Sequence, residues 1–102
     1  MWDFSKQELY TFRTFYIPDH MMSGLQRYIE NHIQPGDFLS AVIRNDLKDA
    51  INYADDENLR NLPAYVGFLY NKAPNGCWGS EELFELWLSS KDAYQHKKGE
   101  IT

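Results

Sequence analysis

The chain has 102 residues, fifteen acidic and ten basic, for a formal net charge of −5, and 43% of it is apolar. That length fits one domain and buries roughly 60–68% of the unfolded surface, enough for a core without disulfide or metal staples. The acidic balance argues against nonspecific nucleic-acid binding, the lone Cys77 excludes an intrachain disulfide or a thiolate zinc centre, and no apolar run approaches the ~20 residues of a membrane span.

Residues 1–16 read as an N-terminal arm. Met1-Trp2-Asp3-Phe4 lacks the basic region and apolar run of a secretory signal. Together with the unpaired cysteine, this points to a reducing compartment such as the cytoplasm. Leu9 to Ile17 is rich in β-branched and aromatic residues, as in a strand, yet Leu9, Phe12, Phe15 and Tyr16 also fall at helical spacing. A lone strand has no partner elsewhere in the chain. The expectation is therefore an extended arm or a short helix that lays its aromatics on the body.

A helical domain is expected over residues 17–92. Pro18 suits a helix start, and Met21, Leu25, Tyr28, Ile29 and Ile33 make an apolar stripe after it. Gln34-Pro35-Gly36-Asp37 is a turn, with Asp37 placed to cap or charge the helix running through Phe38, Leu39, Ala41, Val42 and Ile43. Asn45-Asp46 opens another helix through Leu47, Ala50 and Ile51. Asp55 caps a further one, in which Leu59, Leu62, Val66 and Leu69 run on at helical spacing. Pro63 either kinks that helix or starts a new one. Asn71 to Gly79 is a loop, and Ser80 caps a last helix whose apolar face is Leu83, Phe84, Trp87 and Leu88. Residues 93–102 are expected to form a flexible tail. The predicted architecture is all-α: a compact bundle of about five short helices carrying the aromatic arm.

Few motifs carry chemistry. In Gly76-Cys77-Trp78-Gly79-Ser80 a thiol precedes a helix N-terminus, where its pKa can fall. The competing reading is a small buried thiol beside a tryptophan, in a loop whose glycines take positive backbone angles. His20, His32 and His96 form no metal-ligand spacing, so neither a metal nor another cofactor is expected. Asp46/Asp49 and Asp55/Asn58 are pairs three residues apart, which read first as caps and solvated surface. Asn45 and Asn71 follow apolar helical segments and either end helices in a left-handed conformation or tie neighbouring backbone from inside. Residues 45–58 carry Asp46, Asp49, Asp55, Asp56 and Glu57 against Lys48 alone. That run is either a solvated face or an acidic docking surface.

A longer pattern is also present. It comprises Ile17-Pro18-Asp19-His20, Gly24-Leu25, Arg27-Tyr28-Ile29-Glu30, Pro35-Gly36-Asp37-Phe38-Leu39-Ser40-Ala41-Val42, Asn45-Asp46-Leu47, Ala54-Asp55, Asn58, Phe68-Leu69-Tyr70-Asn71, Ala73-Pro74 and Cys77-Trp78-Gly79-Ser80. In order and spacing it resembles a family of small accessory proteins encoded by phages and prophages. The resemblance implies action in the cytoplasm of a bacterial host, by binding and disabling or redirecting a host or defence protein such as a nuclease, a repair enzyme or a CRISPR complex. It carries over no catalytic residue. The contacts expected for such a partner are the arm aromatics Trp2, Phe4, Tyr10 and Phe12, as anchors, and Asp49, Asp55, Asp56 and Glu57, as steering charge. The alternatives are a homo-oligomeric regulatory module and a small enzyme built on Cys77.

Overall fold

A computed structural model of the chain describes residues 2–90. The expected tail, residues 93–102, and the last two residues of the expected helical domain lie outside the described residues. The protein is mostly helical, with α1 (Asp19–Asn31), α2 (Asp37–Ile43), α3 (Leu47–Tyr53), α4 (Asp56–Arg60) and α5 (Leu62–Asn71), and with residues 81–90 forming α6. A short 3₁₀ turn, Phe4–Lys6, and a small hairpin, β1 (Thr11–Phe12) and β2 (Phe15–Tyr16), precede them. The all-α bundle expected from the sequence is the fold observed.

Helix α2 is the centre of the core. Every residue from Phe38 to Ile43 is buried, as befits a segment that is apolar except at Ser40, whose hydroxyl donates to the Pro35 carbonyl at 3.0 Å. Asp37 sits in its first turn and Gly36 occupies the cap position, so Asp37 contributes charge to the helix start and is not the cap. Asn45 takes φ 62° and turns the chain from α2 into α3. Asp46 then caps α3 by accepting from the Asp49 amide at 3.1 Å, and Asp55 caps α4 by accepting from the Asn58 amide at 2.8 Å. Asn71 differs from Asn45: it ends α5 without a left-handed angle.

Two stripes run differently from their sequence reading. In α1 the buried residues are Met22, Leu25, Tyr28 and Ile29, while Ile33 is exposed. The cause is His32, which takes φ 57° and ends the helix before Ile33. In α5 the inward residues are Ala64, Tyr65, Gly67, Phe68 and Leu69, and both Leu59 and Val66 are exposed. Pro63 starts a new helix, so α4 and α5 do not share one helical phase and the stripe drawn through both is broken.

The arm is a clasp on the body. Residues 11–16 pair with themselves, Thr11 with Tyr16 and Phe12 with Phe15, so the strand that lacked a partner finds one within its own segment. The two-residue loop needs Arg13 at φ 56°, the positive angle that such tight hairpins require. No glycine or asparagine marks this turn in the sequence. The hairpin packs on α5, and Asn61 locks it there: its Oδ1 accepts from the Tyr16 amide at 3.0 Å while its Nδ2 donates to the Glu57 carbonyl at 3.0 Å. At the other end of the chain, Ser80 Oγ accepts from the Leu83 amide at 3.1 Å and caps α6 as expected. Trp87 Nε1 donates to the Tyr28 carbonyl at 2.9 Å, and the His32 ring stacks on Trp87 at 4.6 Å.

Candidate protein-docking groove

Helix α5, Leu-Pro-Ala-Tyr-Val-Gly-Phe-Leu-Tyr-Asn, holds no charged residue. A helix that is apolar on every side belongs in an interior, yet α5 lies at the surface on one side. Leu62, Val66 and Tyr70, spaced by four, share that outer face. Tyr70 is 77% exposed and Val66 45%. With Pro63, Gly67 and the Phe12 ring they line a groove of about 470 Å³, closed by Asn71. Phe12 forms the far wall because the hairpin sits so close to Gly67. The face continues past Leu62 and Val66 into a smaller cleft lined by Leu47, Ala50 and Asp46, where Leu47 is 63% exposed. Contiguous exposed apolar surface of this kind marks binding sites more often than scattered single residues do.

The corner beside Leu47 is acidic. Asp46 and Asp49 each lie 3.7 Å from the one Arg44 guanidinium, so a single cation serves two carboxylates. Asp55 and Asp56 follow at the start of α4, both exposed. Glu57 is half-buried and its Oε2 accepts from the Tyr16 hydroxyl at 2.8 Å, which raises the phenol's pKa above its ordinary value. Three of the four expected acidic contacts therefore have structural roles: Asp49 in the Arg44 pair, Asp55 as a cap and Glu57 as a hairpin anchor. Asp56 alone among them makes no hydrogen bond or ion pair among the described residues.

The arm aromatics divide in the same way. Tyr10 is buried, 6% exposed, and meets Phe68 edge-on at 5.3 Å. It is a core residue and not a surface anchor, because the clasp turns it inward. Trp2 packs edge-on against Tyr10 at 5.8 Å and Phe68 at 5.7 Å, and Phe4 lies 6.1 Å from Phe68. Both are half-buried on the body. Of the four, only Phe12 reaches the groove. Val66, Tyr70 and Leu47 were missed as candidates. The uncharged sequence of α5 was the signal that could have found the first two.

Comparison with protein-family models, with curated proteins and with solved structures finds no match.

Cys77 is fully buried. Burial pushes its thiol up from 9.0 to about 11, the opposite of the shift a nucleophile needs. Its loop is held from both sides: the Tyr28 hydroxyl donates to the Cys77 carbonyl at 2.7 Å, and the Gly79 amide donates to the Ile43 carbonyl at 2.8 Å. Gly76 at φ 89° and Gly79 at φ 112° supply the positive angles expected of that loop. Among the described residues no group of three His, Cys, Asp or Glu side chains converges as a metal site. No described helix is long and apolar enough to cross a membrane.

Proposed function

We propose that the protein is a non-enzymatic binding module that docks a partner protein through the α5 groove. The observation that carries this reading is the uncharged outer face of α5, with Tyr70 77% exposed beside a groove of about 470 Å³. Leaving that much apolar surface in water is unfavourable by roughly 25 cal/mol per Å², which burial against a partner recovers. The resemblance to phage accessory proteins supplies the class of partner: a bacterial host or defence protein, met in the host cytoplasm and inhibited or redirected there.

The test is capture from bacterial lysate by the full chain, by Val66→Ser/Tyr70→Ser, and by Glu30→Gln as a control on the exposed side of α1. Capture lost in the groove variant and kept in the control supports the reading. Equal capture by all three overturns it. The acidic corner is tested separately with Asp49→Asn, Asp55→Asn, Asp56→Asn and Glu57→Gln. Amides are needed because alanine at Asp55 would also delete the α4 cap.

A further inference from the structure

We infer that the groove takes an amphipathic helix of the partner, with apolar residues facing α5 and basic residues on the flank that meets Asp46 and Asp49. This deepens the docking reading above and rests on it.

Shape excludes the main alternatives. Leu62 to Tyr70 is nine residues, so their Cα atoms span about 12 Å of helix axis and two turns, with a wall at Phe12 along one side. A trough of that length fits side chains at i, i+3 or i+4, and i+7 of a second helix. Strand addition has little to build on, since β1 and β2 are two residues each. A small polar ligand would need convergent polar groups, and the lining offers only the Asn71 amide and the Tyr70 hydroxyl.

Charge sets the flank. At the α3 end, Asp46 and Asp49 share Arg44 and leave one negative charge uncompensated. Asp55 and Asp56 extend the acidic run into α4. A partner helix with Lys or Arg beside its apolar stripe gains attraction there, and an acidic one is repelled. The same rule disfavours a second copy of this chain, which brings a net charge of −5.

The test is selection from a displayed library of random peptides, each long enough for three helical turns, against the folded full chain. Expected winners are helical when bound, carry the i, i+3 or i+4, i+7 apolar pattern and are net basic. Their binding is lost with Val66→Ser/Tyr70→Ser and falls about tenfold with Asp46→Asn/Asp49→Asn, weakening further with salt. Unchanged unfolding midpoints confirm that both variants are folded. Winners that need the groove but are acidic or extended overturn the helix inference and leave the docking reading standing. Winners indifferent to Val66→Ser/Tyr70→Ser overturn both. A wild-type dimer in sedimentation that the groove variant abolishes assigns the groove to a second copy and likewise overturns the inference.

Discussion

Gly67 lies directly against the Phe12 ring: a Cβ added there would stand 2.9 Å from Cδ2 and 3.0 Å from Cγ of Phe12, and 3.1 Å from the Tyr10 hydroxyl. Glycine inside a helix ordinarily costs about 0.8–1.0 kcal/mol relative to alanine. Here it lets the hairpin seat on α5 and places Phe12 as the groove wall. Gly67→Ala is expected to lose about 1–2 kcal/mol net, because overpacking outweighs the propensity gain. In a Phe12→Ala background the same change should cost clearly less. Urea unfolding of the four proteins closes this cycle. Equal costs in both backgrounds would mean that the hairpin does not rest on Gly67.

Asn61 is 2% exposed and bridges two segments, accepting from the Tyr16 amide and donating to the Glu57 carbonyl. Asn61→Ala strands the Tyr16 amide, while the Glu57 carbonyl keeps the backbone amide of residue 61 as a donor at 3.2 Å, and an unsatisfied buried group costs about 1–3 kcal/mol. The loss should appear first in the hairpin. Faster amide exchange at Tyr16 than at Leu69 in the variant would show it, and uniform exchange would argue against a local lock.

Much of the fold was legible because local chemistry and tertiary structure agree there. Asp46, Asp55 and Ser80 are good capping residues and do cap. The short apolar run after Asp37 reads as a helix because a Pro-Gly turn and an acidic first-turn residue precede it, and its burial on all sides makes it the centre. The hairpin was not legible, because its turn rests on Arg13 at φ 56°, an angle that residue type does not advertise. The outer face of α5 is not legible for a different reason. Leu59, Leu62, Val66 and Leu69 have helical spacing, but Pro63 restarts the helix and shifts the phase. Small residues, Ala64 and Gly67, then mark the side of closest packing better than the large ones do. The candidate acids were visible as charge, while their roles in capping and in the Tyr16 bond depend on contacts 3 to 41 residues apart.

The buried thiol and phenols give the protein an alkaline limit. Burial raises Cys77 from 9.0 to about 11 and lifts the Tyr28 and Tyr65 phenols above 10.0. The unfolded chain releases these protons first, so each contribution is complete below the unfolded pKa and is lost as pH rises through the folded one. Stability should therefore decline from about pH 9, with the Cys77 share spent by about pH 11. Urea midpoints against pH would follow this, and Cys77→Ala should flatten the early part of the slope. Iodoacetamide at pH 8 should leave the native thiol unlabelled; rapid labelling there would contradict the burial.

Val66 and Phe68 stand two residues apart in α5 and predict opposite outcomes. Phe68 is 0% exposed and receives Trp2, Phe4 and Tyr10 around its ring. Phe68→Ala empties the point where the arm meets the core and should cost about 3–5 kcal/mol. Val66 is 45% exposed on the groove face. Val66→Ala removes little buried surface and substitutes a better helix former, so stability should change by no more than about 0.5 kcal/mol. A stripe through Leu59, Leu62, Val66 and Leu69 requires the reverse, with Val66 in the core. Denaturation midpoints of the two variants decide between these arrangements. If Val66→Ala proves the more damaging, α5 is turned the other way and its outer face does not form the groove. If Phe68→Ala does, the apolar surface at Val66 contributes little to folding and is free for a partner.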